Sequence, residues 1–147
     1  MKSTEVINQF LTAIESEDYN KAESLAADDL AVEGVSPTPL GKKEFLGVHR
    51  AISTGFPDFK FNQHIDSEHD GHVDVTVQLS GTNRRDMKAP IPGMKDIPAT
   101  FKSIKMPKEN LHITVKNDKI SKLELDHVAD GGLPGILKQL GVEMPKS

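Results

Sequence analysis

The chain has 147 residues, the size of one domain, with 18 basic and 22 acidic residues and no cysteine. The missing thiols exclude a disulfide framework, thiolate metal sites and a cysteine nucleophile. A net charge of −4 gives no sustained attraction to nucleic acid or anionic lipid, and no stretch approaches the ~20 apolar residues of a membrane span.

Met1 to Glu5 leads straight into an amphipathic pattern without the apolar core of a signal peptide, so a soluble, cytoplasmic protein is expected. Ser3 or Thr4 is placed to cap a first helix, whose apolar face is Val6, Ile7, Phe10, Leu11 and Ile14. Ser16-Glu17-Asp18 interrupts it. Tyr19, Ala22, Leu25 and Ala26 predict a short second helix ended by Asp28-Asp29, and Leu30-Ala31-Val32 a short strand. Ser36-Pro37-Thr38-Pro39 must be a loop, because proline removes a donor and fixes the backbone. Gly41 opens a third helix with Phe45, Val48 and Ile52 on its buried face, and Gly55-Phe56-Pro57-Asp58 stops it.

From there the period is two. Phe59, Phe61 and Ile65 alternate with polar residues, and so do Val73, Val75, Val77 and Leu79, after an Asp70-Gly71 hairpin signal. Residues 83–98 hold three prolines and Gly93 and predict a long loop, a kind of segment that is often functional. Met87 and Met94 in it are flexible apolar groups able to cover a pocket. Its basic cluster, Arg84-Arg85 with Lys88, is the longest in the chain and too small for an electrostatic footprint. Strands are predicted at Thr100 to Met106, around Leu111, Ile113 and Val115, and, after an Asn117-Asp118 turn, from Lys119 to Val128. Gly131-Gly132 and Pro134 precede a short terminal helix with Ile136, Leu137 and Leu140. Helices first and hairpin-joined strands afterwards argue an α+β domain spanning 1–147. Three N-terminal helices would pack on one face of a curved antiparallel sheet and leave a pocket at its open end.

Several segments, in order along nearly the whole chain, resemble the SnoaL-like polyketide (ester) cyclases. These belong to the cone-shaped nuclear-transport-factor-2-like, or cystatin-like, superfamily. The segments are Ser16-Glu17-Asp18-Tyr19-Asn20 with Leu25-Ala26-Ala27-Asp28-Asp29, Gly41-Lys42-Lys43-Glu44-Phe45 leading to Phe56-Pro57-Asp58-Phe59-Lys60-Phe61, and Leu79-Ser80-Gly81-Thr82 before Ile91-Pro92-Gly93. Val115-Lys116-Asn117-Asp118-Lys119-Ile120 and the ending Gly135-Ile136-Leu137-Lys138-Gln139-Leu140-Gly141 complete them. The resemblance implies an acid–base enzyme with an aspartate in an apolar pocket, closing a ring without metal or cofactor. It also implies a small apolar or carbonyl-containing ligand and a homodimer formed through sheet faces. Members often carry His-Trp-Asp in the last strand, whereas this chain has no tryptophan and reads Leu125-Asp126-His127-Val128. Matching the acid by type picks Asp126 as the base; counting back from Gln139-Leu140-Gly141 picks His127 or a neighbour. One residue along a strand means the opposite face.

An aspartate beside a histidine could supply both base and hydrogen-bond donor, so Asp126 and His127 are the catalytic candidates. The alternative for Asp126 is a solvated strand residue, since Leu123 and Leu125 have the other parity; His127 shares that apolar parity. Asp130 is the reserve acid, otherwise a turn residue. His112 alternates against Leu111 and Ile113, so it leaves the core face unless sheet twist turns it into the pocket. His49, at the edge of the third helix's buried face, could reach the pocket mouth, and Asn83 opens the long loop; both count as substrate-binding candidates with His112 and Asp130. His64, His69 and His72 are explained by hairpin polarity, so no metal site is expected. Three functions stand: an acid–base cyclase, isomerase or hydrolase-like enzyme, a non-catalytic ligand-binding or dimeric scaffold domain of the same fold, and, third, a purely structural interaction protein.

Overall fold

The computed structural model describes residues 1–35 and 38–142; Ser36 and Pro37 of the predicted proline loop lie outside the described residues. The elements run α1 (Ser3–Glu15), α2 (Tyr19–Ser24), β1 (Ala26–Glu33), α3 (Lys42–Gly55), β2 (His64–His69), β3 (His72–Val77), β4 (Ser80–Thr82), β5 (Ser103–Lys105), β6 (Glu109–Lys116), β7 (Lys119–Leu125) and α4 (Gly132–Gln139).

A five-stranded sheet in the order β1-β7-β6-β3-β2 forms the wall of the domain. The expectation of an antiparallel sheet holds for β7-β6-β3-β2. It needs correction at the edge, where β1 pairs parallel to β7 and makes the sheet mixed. The physical reason is the crossover through α3 and the hairpins, which brings the chain back beside β1 in the same direction. The Asp70-Gly71 and Asn117-Asp118 turns both hold two successive residues at positive φ (49° and 80°; 52° and 59°), the type I′ geometry that matches strand twist. They fix the register Val75↔Leu111↔Leu125 and Asp74↔His112↔Glu124. Alternation then puts Val73, Val75, Val77, Leu111, Ile113 and Leu123 on the inner face, and Asp74, Thr76, His112 and Glu124 on the outer one.

The inner face packs against α1, whose Val6, Ile7, Phe10 and Ile14 are fully buried, and against Phe45 and Ile52 of α3. At ~25 cal/mol per Å², each such side chain contributes roughly 2 kcal/mol before entropy is counted. The α1 cap differs from expectation: the helix begins at Ser3, with Lys2 at the cap position and no side-chain cap bond. Asp18 caps α2 instead, accepting from the Lys21 amide at 3.2 Å. The second helix is shorter than predicted and β1 starts already at Ala26, because the Ile120 amide takes the Leu25 carbonyl. Phe59 and Phe61 are buried as their period suggests but precede β2 on an irregular segment, and Leu79 falls between β3 and β4. The last strand ends at Leu125, not Val128. No helix among the described residues is long and apolar enough to cross a membrane.

Candidate active site

Between α3, the inner face of the sheet and the segment leading into α4 lies a cavity of about 420 Å³, within the range of small-molecule sites. Its walls are mostly apolar: Phe45, Ile52, Phe61, Val77, Leu111 and Leu123 are among them. Two polar side chains are buried in it, His49 and Glu109.

His49 follows Phe45 by one helical turn and stands among rings. The centroids of Phe45, Phe61 and Phe59 lie 4.7, 5.4 and 5.9 Å from its own. Burial there penalises the cation and takes its pKa down to about 4, so the imidazole is neutral at pH 7. Among the described residues its Nδ1 has no hydrogen-bond partner. The expectation that His49 could reach the pocket mouth understates its place: it lies inside.

Glu109 opens β6 opposite Val77 and shares the inward parity of Leu111 and Ile113. It is 2% exposed. Oε1 accepts the Gly132 amide at 2.8 Å, at the first turn of α4, while Oε2 has no partner among the described residues. Burial raises its pKa above the usual glutamate value, and the Gly132 amide opposes that only in part. Glycine at 131 and 132 is what allows this approach. A Cβ on Gly131 would sit 2.8 Å from Oε1, and Gly132 has φ +63°. Sequence reasoning started this strand at Leu111 and so missed Glu109. The available signal was its parity, a glutamate two residues before Leu111 in a strand with one buried face.

Of the other candidates, Asp126, His127 and Asp130 border the cavity, and His112 and Asn83 do not line it. The Asp126 amide bonds the Asn110 carbonyl and its carboxylate turns outward, Oδ2 lying 2.9 Å from His112 Nε2. His112 Nδ1 lies 2.7 Å from Asp74 Oδ1, so the ring is held between two carboxylates. These hydrogen bonds raise the His112 pKa, Asp74 contributing most, and in turn hold Asp74 low. His112 thus leaves the core face, as alternation indicated, and belongs to the outer sheet surface. His127 lies beyond the end of β7, so its expected parity with Leu123 and Leu125 does not apply; it is exposed and borders the cavity mouth. Asp130 also borders the mouth, at φ +62° and paired with Lys138 at 2.9 Å.

Asn83, expected among the substrate-binding residues, is fully buried and does not line this cavity. Its Nδ2 donates to the carbonyls of Gly55 and Arg85, and its Oδ1 accepts from the amide and hydroxyl of Thr100. It ties the long loop to the end of α3. Met87 in that loop does not cover the pocket either; it is fully buried against the core and pairs with Ile97. His64 and His69 pair with Asp66 and Asp70, and His72 with Thr114. Among the described residues no three His, Asp or Glu side chains converge as metal ligands.

Sequence comparison finds no matching family model and no matching curated protein. Solved structures do match. IdmH, a candidate polyketide cyclase from Streptomyces antibioticus, aligns over 97% of this chain and 100% of its own at 20% identity with a TM-score of 0.71. A candidate SnoaL-like polyketide cyclase from Jannaschia aligns over 84% and 83% at 10% identity, TM-score 0.64. An NTF2-like protein of unknown function from Cytophaga hutchinsonii aligns over 86% and 89% at 13% identity, TM-score 0.58. The chain has the nuclear-transport-factor-2-like α+β fold, which it shares with these proteins, two of them named as candidate polyketide cyclases and one of those as SnoaL-like.

Proposed function

We propose that the protein is a cofactor-free acid–base enzyme, of cyclase or isomerase type, acting on a small apolar carbonyl compound held in this cavity, with Glu109 as the proton-transfer group and His49 as its partner. One observation carries the reading: two buried polar atoms, Glu109 Oε2 and His49 Nδ1, are both without partners in the same apolar space. Leaving each unsatisfied costs about 1–3 kcal/mol, a cost that a ligand supplying the matching groups would remove.

The chemistry follows from the environments. A carboxylate whose pKa is raised by burial is a stronger base than one in water. Glu109 would take a proton from the carbon next to the carbonyl, leaving the electron pair on an enolate. Neutral imidazole carries one N–H and one bare nitrogen, and His49 would donate that N–H to the enolate oxygen. Glu109 would then return its proton to another carbon, completing an isomerisation. Alternatively, the enolate carbon would attack a second carbonyl of the same molecule, and Glu109 would protonate the resulting alkoxide, completing an aldol closure. Asp126, bonded to His112 on the outer face, and exposed His127 would serve the rim rather than the reacting atoms. The names of the structural neighbours support the same class of chemistry.

The second reading, a binding module, rests on the same cavity without turnover. A panel of ketones, esters and β-dicarbonyl compounds, screened for exchange of the α-proton with deuterated water, separates the two. Exchange abolished by Glu109→Gln supports the enzyme. Binding without exchange supports the module. A homodimer through the polar outer sheet face is part of either reading, and sedimentation velocity tests it.

A further inference from the structure

The loop between β4 and β5 is a long, regular arm. Ser80 pairs with Lys105 and Thr82 with Ser103. Beyond them the Asn83 amide bonds the Lys102 carbonyl and the Phe101 amide the Asn83 carbonyl. The Ala99 amide bonds Asp86, Met87 and Ile97 exchange backbone bonds, and the Ala89 amide bonds Asp96. One side of this hairpin is fastened to the body through buried Asn83, Met87, Ile97 and Ile104.

The hairpin's exposed side chains are largely basic. Arg84, Arg85, Lys88, Lys95, Lys102 and Lys105 are all exposed, and none forms a salt bridge among the described residues. Arg84 alone has a longer-range pull on Asp58. The arm's two acids, Asp86 and Asp96, are fixed as acceptors of its own cross-chain bonds. The arm thus carries six of the chain's 18 basic residues and two of its 22 acidic ones, leaving twelve against twenty for the rest. Residues that looked scattered along the sequence share one hairpin on an acidic molecule.

Beside Lys102 stands Phe101, 72% exposed. Its φ is +58°, a conformation that an aromatic residue adopts at a cost. The buried Asn83 enforces it: its carbonyl takes the Phe101 amide, its amide gives to Lys102, and its side chain holds Thr100. The ring is displayed to solvent on a backbone held by four hydrogen bonds.

We propose that this arm docks an acidic protein, with Phe101 as apolar anchor in a socket of that partner and the arm's cations around it. Interfaces of this kind combine a central aromatic with a charged rim. A membrane fits less well, since Phe101 is the arm's one exposed large apolar side chain, and interfacial binding needs a broad apolar face. A long nucleic acid would meet the acidic remainder of the molecule. A second copy bound arm-to-body is the competing occupant, and self-association that depends on the arm would reveal it.

The test uses the whole chain and a panel of labelled synthetic peptides, helical and extended, with Glu on one face and Leu or Phe on the other. Lysine-substituted versions, phosphatidylserine vesicles and a duplex oligonucleotide serve as comparators, with anisotropy read at two salt concentrations. At least one acidic peptide should bind saturably and more weakly at higher salt. Lys102→Glu with Lys105→Glu should weaken that binding about tenfold or more. Phe101→Asn should weaken it about tenfold while keeping or raising the Tm, because asparagine tolerates the left-handed backbone. Failure of every acidic peptide overturns the proposal. So does binding that ignores these variants, tighter binding to vesicles or oligonucleotide, or self-association that the arm variants abolish.

Discussion

On the cavity side of β6, Glu109 keeps one carboxyl oxygen on the Gly132 amide and the other on nothing. Three residues along the same strand and on its other face, His112 has a carboxylate at each ring nitrogen. The same residue types are starved of partners inside and saturated with them outside. Water explains the difference. On the outer face solvent screens every charge, so carboxylates and histidines pair at little cost and little gain. In the cavity burial disfavours the charged forms, shifting Glu109 up and His49 down, and the atoms left over are those a ligand can use.

The largest effect that would break this contrast is catalytic. Glu109→Gln should lower turnover of a responsive carbonyl substrate by about 100-fold or more, while Asp126→Asn should leave it near the wild-type rate. Comparable losses in steady-state assays of both variants would return the chemistry to the rim.

Next comes the buried imidazole. The folded pKa of His49 is depressed from 6.5 to about 4, so the unfolded chain binds its proton first. Stability is therefore full above about pH 6.5 and falls as the pH drops towards 4, by about 3 kcal/mol at most. Urea unfolding across that window should show the slope, and His49→Leu should flatten it.

Glu109 has the opposite linkage. Its folded pKa is raised from 4.5, so the folded state is favoured while the group is protonated and loses stability as the pH climbs through the shifted value. Glu109→Gln should for that reason be at least as stable as wild type at pH 7, even as activity disappears. A drop in Tm instead would mean that the carboxylate is held chiefly for structure.

The smallest effect is expected outside. His112→Ala should cost about 1 kcal/mol or less, with the loss shrinking at high salt. The folded pKa of His112 is raised, so its contribution is present below the unfolded value near 6.5 and is lost as the pH rises through the folded one. Chemical denaturation at pH 6 and pH 9 compares the two conditions.

Much of the fold was legible from the pattern along the chain. The α1 stripe Val6, Ile7, Phe10, Leu11 and Ile14 recurs at helical spacing, and all five are buried. Asp70-Gly71 and Asn117-Asp118 accept positive φ cheaply, which set the hairpins and so the register. The β1 edge was not legible, because parallel pairing with β7 depends on where a crossover returns rather than on local residues. The site was legible only in part. His49 stood out as a histidine near an apolar helix face, but its depth comes from Phe45, Phe59 and Phe61 converging from separate segments. Asp126 drew attention as an acid at the end of the last strand, and its direction was fixed by His112 and Asp74 across two neighbouring strands.

The sequence by itself determined the two periodicities, the turns between them and hence an α+β domain with one apolar sheet face, since those features depend on residues within a few positions of each other. Tertiary structure alone decided which polar groups lose water. Glu109 becomes a buried, half-partnered acid because α4 brings the Gly131-Gly132 backbone over it, some two dozen residues further along the chain. The six cations of the β4–β5 arm come together on one element because cross-chain backbone bonds pair its two halves. Desolvation and summed charge depend on distance in space, and that distance is set by the fold.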